Sequence, residues 1–180
     1  MALLKMSERS AIKKNKMSSL VIGYGNVDRQ DDGAGWHVLD LLAGWLGLEP
    51  DGQDLWSEDG TICLHYALQL TPELAEFIAQ FERVCFVDAH TGQEKGEIHA
   101  APVEPEYQSS AFTHHMTPAT CMLIAEKLYG KSPEAILFSV RGYAFGFQNG
   151  LSEKTTILVE AAARRIWSWL RESESRPGMV

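Results

Sequence analysis

Residues 20–35, reading LVIGYGNVDRQDDGAG, restrict what this chain can fold into more than any other stretch. The β-prone run Leu20-Val21-Ile22 passes into Gly23-Tyr24-Gly25-Asn26, then into an acidic loop, then into an apolar-periodic segment from Trp36 to Leu46. That order reads as strand, glycine turn, loop and helix. Glycine takes positive φ at almost no steric cost, so the backbone can leave a buried strand sharply there. A dinucleotide-binding loop of this build offers bare amides to a phosphate at the helix N-terminus. This loop presents Asp28, Asp31 and Asp32 instead, and carboxylates in that number repel a pyrophosphate while suiting a cation. Taken singly, Asp31 or Asp32 reads equally well as a helix cap. The pair beside a Gly-rich turn points to a site.

At 180 residues the chain is one ordinary domain, long enough to bury roughly 70% of its unfolded surface without disulfides or a structural metal. Cys63, Cys85 and Cys121 are widely spaced within apolar runs and form no CxxC pair. They read as buried thiols of a reducing cytoplasm, with a nucleophilic cysteine as the alternative. A net charge of -8 argues against a nucleic-acid binder, which gains its affinity by neutralising phosphates. The charge is uneven: residues 1–19 hold Lys5, Arg9, Lys13, Lys14 and Lys16 against Glu8 alone, so the remainder is more acidic than the whole. No apolar run approaches the ~18 residues a membrane span needs, and the N-terminal segment lacks the apolar stretch of a signal peptide. The expectation is a cytoplasmic protein with a flexible basic leader over 1–19, a single α/β domain over 20–171 and a mobile tail over 172–180. Met17 stands where a shorter reading of the gene could begin, so Met1 to Lys16 are not expected to carry fold information.

Further along, Gly47 to Gly60 reads as a polar loop, and Ile62 to Ala67 as a strand. Thr71-Pro72 announces a helix, with Thr as N-cap and Pro first, continued at helical spacing by Leu74, Phe77, Ile78 and Phe81. Arg83 to Asp88 is a near-continuous apolar run of the kind buried on both faces of a sheet, and it stops at an acid. An aspartate there stands at the carboxyl edge of a parallel sheet, where open α/β folds put their ligands; the plainer reading is a carboxylate capping nearby amides. Ile98 to Pro102 reads as an edge strand because of its proline. Thr117-Pro118 starts another helix, which runs to Gly130, and places His114 and His115 in a loop just ahead of it. Imidazole is the commonest transition-metal ligand, so one of this pair is a candidate ligand or acid–base group. His37 and His65 read as packing or surface residues, while His90 and His99 flank the loop after Asp88 as candidate supporting groups. Ala135 to Val140 is a buried strand, and Arg141 to Gly150 interleaves glycine with aromatics, as a partner-binding lip or as a loop packed on itself. The last helix follows, with Ser152 as N-cap and an apolar face from Ile157 to Leu170.

Strands and helices alternate, and the handedness of parallel crossovers then places helices on both faces of the sheet. The expected fold is a three-layer α/β arrangement with a twisted, mostly parallel sheet of about five strands and room for one antiparallel edge strand. In it Asp32, Asp88 and the His114/His115 pair all leave from one end of the sheet. Two carboxylates and an imidazole suit a divalent first-row metal with positions open for substrate or water. Neither a GxSxG elbow nor an HExxH helix occurs, so metal-assisted hydrolysis is favoured over nucleophilic catalysis. The alternative class is a nucleotide- or small-ligand-binding module without hydrolytic activity, against which the G-x-G-x-x-G spacing fails at Asp28.

The motif Gly23-x-Gly25-Asn26-x4-Asp31-Asp32-Gly33-x-Gly35 resembles the opening signature of the nickel-iron hydrogenase maturation endopeptidases. Val87-Asp88-Ala89, His114-x-Met116-Thr117 and Gly150-Leu151-Ser152 resemble that family's later motifs, in family order. The resemblance implies an α/β protease that removes the C-terminal extension of a hydrogenase large-subunit precursor once nickel has been inserted. It further implies that two acids and a histidine engage nickel supplied by the precursor, other divalent metals being able to substitute, and the matching positions are Asp32, Asp88 and His114. Two departures stand out. The first ligand can be Glu in the family and is the shorter Asp32 here. Helix-start spacing favours His114 while counting back from Gly130 favours His115, so both are kept as metal candidates.

Overall fold

The computed structural model describes residues 18–50, 54–107 and 116–172. Residues 1–17 of the leader, most of the tail and the two candidate histidines His114 and His115 lie outside the described residues. Six strands form one sheet: β1 (Ser19–Tyr24), β2 (Leu55–Trp56), β3 (Ile62–Ala67), β4 (Arg83–His90), β5 (Ile98–Pro102) and β6 (Glu134–Arg141), in the order β2-β3-β1-β4-β6-β5. The four inner strands are parallel, and β2 and β5 run antiparallel at the two edges. Among the described residues four α-helices accompany the sheet: α1 (Ala34–Trp45), α2 (Leu74–Ile78), α3 (Pro118–Tyr129) and α4 (Glu153–Glu172).

Alternation along the inner strands divides the core in two. Val21 of β1 and Cys85 and Val87 of β4 face α1 and α4, where Val38, Leu42, Val159, Ala162 and Ile166 close over them. Leu20, Ile22, Val84 and Phe86 face the other way, onto Leu74 and Ile78 of α2 and Cys121, Met122 and Ala125 of α3. All three cysteines are free and buried, as expected. Burial raises each thiol, Cys121 to about 12, so none is poised as a nucleophile. Among the described residues no helix is long and apolar enough to cross a membrane.

The sheet departs from expectation at its margins. The sixth strand, β2, lies in the stretch read as loop, because two residues carry no periodicity. A tight turn makes it: Ser57 Oγ donates to Asp59 at 2.8 Å, and the Ser57 amide donates to the Ile62 carbonyl at 2.9 Å. Helix α2 is only five residues long, since the Thr71-Pro72 start gives i→i+3 bonds, Leu74 to Thr71 at 3.2 Å and Ala75 to Pro72 at 3.1 Å, rather than α-helical ones. By contrast α3 follows its sequence punctuation: Thr117 accepts from the Thr120 amide, Pro118 comes first, and Gly130 closes the helix at φ 64.

Candidate functional site

The acidic turn after β1 is held against the sheet by backbone contacts that only glycine permits. Gly25 has φ +132, and a Cβ there would meet the Asp32 carbonyl oxygen at 1.9 Å. The turn therefore folds back on itself. Asn26 donates its amide to Asp32 Oδ2 at 2.9 Å, Asp28 donates its amide to Asn26 Oδ1 at 2.9 Å, and the Asp32 amide donates to the Arg29 carbonyl at 3.3 Å. A short 3-10 turn, Gln30–Gly33, then delivers the chain into α1. Asp32 emerges half-buried at the carboxyl end of the parallel strands.

Asp88 arrives at the same edge from β4. The β1–β4 register ends at Gly23↔Val87, whereas β4 continues beside β6 through Asp88↔Ser139 to His90↔Arg141. The strand thus runs two residues beyond the acid at which the sequence pattern stops, because β6 goes on supplying backbone partners after β1 has turned away. Asp88 is the first β4 residue past that departure, and its side chain faces the space beside the turn of β1. Burial pushes its carboxyl up; bonds from the Ala89 amide, at 2.7 Å, and the Tyr24 hydroxyl pull it down; and the Asp32 charge pushes it up again, leaving it at about 6. Tyr24 is raised well above the ordinary phenol range by its burial and by the Asp88 charge, so its hydroxyl stays protonated and donates. Two carboxylates that feel each other's charge in a partly dry crevice are relieved by a cation between them.

Asp31 does something its sequence position does not suggest. It is completely buried, and it caps a different helix from the one it precedes. Its carboxylate accepts from the amides of Tyr143, Ala144 and Ser152 and from the hydroxyls of Ser152 and Thr155. Burial alone would raise this carboxyl, but the Ser152 and Tyr143 bonds outweigh it and the net shift is downward. Sequence reasoning missed this role and that of Tyr24. An Asx residue next to a helix start looks like a local cap, and nothing local reveals a donor set more than a hundred residues away.

The remaining histidines stand apart. His65 bonds Asp54 at 2.6 Å on β3. His90 is buried at the end of β4, accepts from the Gly92 amide at 3.1 Å and lies among Glu94, Glu97, Arg141 and His99. His99 faces Glu94 at 3.6 Å. This group belongs to the β5–β6 side of the edge. Among the described residues no three His, Cys, Asp or Glu side chains gather as a metal site. Asp32 and Asp88 would offer an ion two donors, and Met116-Thr117, directly after the candidate histidines, stand at the start of α3.

No family model and no curated protein sequence matches the chain. Solved structures do resemble it. The hydrogenase maturating endopeptidase HybD from E. coli superposes with a TM-score of 0.63 at 20% identity, covering 87% of this chain and 94% of that one. The NiFe hydrogenase maturation protease HycI from Thermococcus kodakarensis KOD1 gives 0.57 at 20% identity, over 94% of this chain and 99% of its own. The hydrogenase 2 maturation peptidase of a Thaumarchaeota archaeon gives 0.58 at 19%, over 85% and 97%. At these identities what the likeness establishes is the fold, and it is the fold of those maturation endopeptidases.

Proposed function

We propose that this protein is an endopeptidase that removes the C-terminal extension of a nickel-iron hydrogenase large-subunit precursor, recognising the nickel already installed in that substrate. The observation that carries the reading is the meeting of Asp32 and Asp88. The turn after β1 and the far part of β4 bring two carboxylates to the carboxyl edge of the sheet, near enough for the Asp32 charge to act on Asp88, whose burial pushes its carboxyl up to about 6. The fold shared with the maturation endopeptidases supports it, as does the order of the four motifs along the chain.

In this reading Asp32, Asp88 and one of the His114/His115 pair take up the nickel presented by the precursor. A divalent ion so held draws charge from a carbonyl oxygen next to it. The chain's own residues do the rest. Tyr24 and the Ala89 amide aim the Asp88 carboxylate, the Asn26 amide aims that of Asp32, and the scissile segment is brought to the edge by holding the metal beside it. Neutral Asp88 must lose its proton to bind, so engagement weakens as pH falls below about 6.

The test is incubation with nickel-loaded and nickel-free precursor, followed by mass measurement of the product. The loaded precursor is expected to lose its extension and the nickel-free one to stay whole. Asp88→Ala should keep its far-UV circular dichroism and process nothing. Wild-type-like processing by that variant, or cutting of the nickel-free precursor, would remove the acid pair from the mechanism.

A further inference from the structure

We propose that Asp31 is a positioning residue, which sets Asp32 in place by fastening the acidic turn to the loop and helix start that follow β6. The inference rests on the reading of Asp32 and Asp88 as the metal-facing pair. The five donors to Asp31 are close: the Tyr143, Ala144 and Ser152 amides at 2.7, 2.8 and 2.7 Å, and the Ser152 and Thr155 hydroxyls at 2.7 and 2.8 Å. Its own amide donates to the Ala144 carbonyl at 3.1 Å. The residue next to Asp32 is therefore tied, by backbone and side chain together, to a segment distant in sequence. Gln30 repeats the arrangement one position earlier. Its amide donates to the Gln148 carbonyl at 2.9 Å, its side chain accepts from the Gly146 amide at 3.0 Å, and it holds φ 50, a left-handed conformation costly to a non-glycine residue.

Capping α4 does not by itself call for this. Ser152 Oγ already accepts from the Thr155 amide at 3.4 Å, as an N-cap should. What Asp31 adds is a fixed relation between two loops. Asp32 itself bonds within its own loop, to Asn26 and Arg29. That loop is seated at its far end by Gly35 against the Val87 carbonyl, one residue before Asp88, and at its near end by Asp31. Release the near end, and Asp32 can turn away from Asp88. Groups that orient a ligand from behind are worth about 10–100-fold in metal affinity.

The experiment measures Cd²⁺ affinity by calorimetry on the full chain for wild type, Asp31→Asn, Thr155→Val and Thr155→Ser, with circular dichroism and melting temperature alongside. Thr155→Val removes one donor to Asp31 at nearly constant volume and touches neither metal-facing acid; Thr155→Ser keeps the hydroxyl. Asp31→Asn and Thr155→Val are expected to stay folded and weaken Cd²⁺ about 10–100-fold, with Thr155→Ser near wild type. Lowered melting temperatures with undiminished Cd²⁺ affinity would make Asp31 a structural residue only and overturn the inference. Should Asp31→Asn fail to fold, the Thr155 pair decides alone. A wild type that binds Cd²⁺ no better than Asp88→Ala would instead sink the underlying reading, and the positioning role with it.

Discussion

At Asp88 folding works against the charge that holding a cation would need. Burial disfavours its charged form, so in the folded protein its carboxyl titrates at about 6, above the ordinary aspartate value of 3.8. A group raised on folding contributes its stability fully below the unfolded value and loses it as pH climbs through the folded one. The protein should therefore lose about 2–3 kcal/mol between pH 4 and pH 7 on account of this carboxyl, taking about 1.4 kcal/mol for each pH unit that separates the two values. Asp88→Asn abolishes that dependence. Its amide oxygen can still accept from Ala89 and meet Tyr24, so denaturant unfolding is expected to show the variant more stable than wild type by about 1–3 kcal/mol at pH 7 and equal to it near pH 4. A variant no more stable at pH 7 would mean that the carboxylate is already well solvated or paired. Stability surrendered at a single crevice residue is the ordinary mark of a site kept for binding.

At the scale of elements, the decisive contact is the crossing of α1 over β1 and β4. A Cβ on Gly35 would stand 2.5 Å from the Val87 carbonyl oxygen and 2.9 Å from the Tyr24 amide nitrogen, both backbone atoms that cannot swing aside. Gly35→Ala is expected to cost about 1–3 kcal/mol or more in denaturant unfolding, with α1 backing away from the sheet and taking the Asp32 turn along. Gly44→Ala is the matched control: it lies in the same helix, its Cβ would meet nothing within 4 Å, and it should gain up to about 1 kcal/mol from helix propensity. Much of this arrangement is legible in the sequence. The buried runs of β1, β4 and β6 carry their own apolar continuity, and α3 is punctuated at both ends by Thr-Pro and Gly130. The edge strand β5 matches its expected bounds, Ile98–Pro102. What escapes is set by partners far along the chain. β2 exists through its turn, β4 outlasts its apolar run because β6 does, and Asp31 serves a helix that begins at Glu153. The convergence of Asp32 and Asp88 can be anticipated from topology, since both lie toward the carboxyl ends of the neighbouring parallel strands β1 and β4, whereas Tyr24 behind Asp88 cannot.

Across the whole molecule, the carboxyl edge of the sheet is also where an ordered aromatic is left uncovered. The loop from Gly142 to Gly150 follows β6 just as the acidic turn follows β1, and the two are joined by Asp31, Gln30 and an isolated bridge between Arg29 and Gln148. Its aromatics divide between the loop's own packing and solvent. Phe145 packs back, close enough that a Cβ on Gly142 would strike its ring at 2.4 Å, while Phe147 is 91% exposed with the Arg29 guanidinium 5.6 Å from its ring centroid. An aromatic on a loop already fixed loses little conformational freedom when a partner covers it, which is how such side chains come to dominate an interface. On the proposed function, a precursor offering its metal to Asp32 would approach beside this loop, and Phe147→Ser is then expected to raise KM for nickel-loaded precursor about tenfold, equivalent to about 1.4 kcal/mol. kcat, Cd²⁺ affinity and melting temperature should stay at wild-type values, because nothing in the core or at the acid pair leans on that ring. Steady-state processing kinetics separate the outcomes: an unchanged KM would show that the precursor docks elsewhere on the edge, and a fall in kcat with KM unchanged would place the ring's influence on the acid pair rather than on docking.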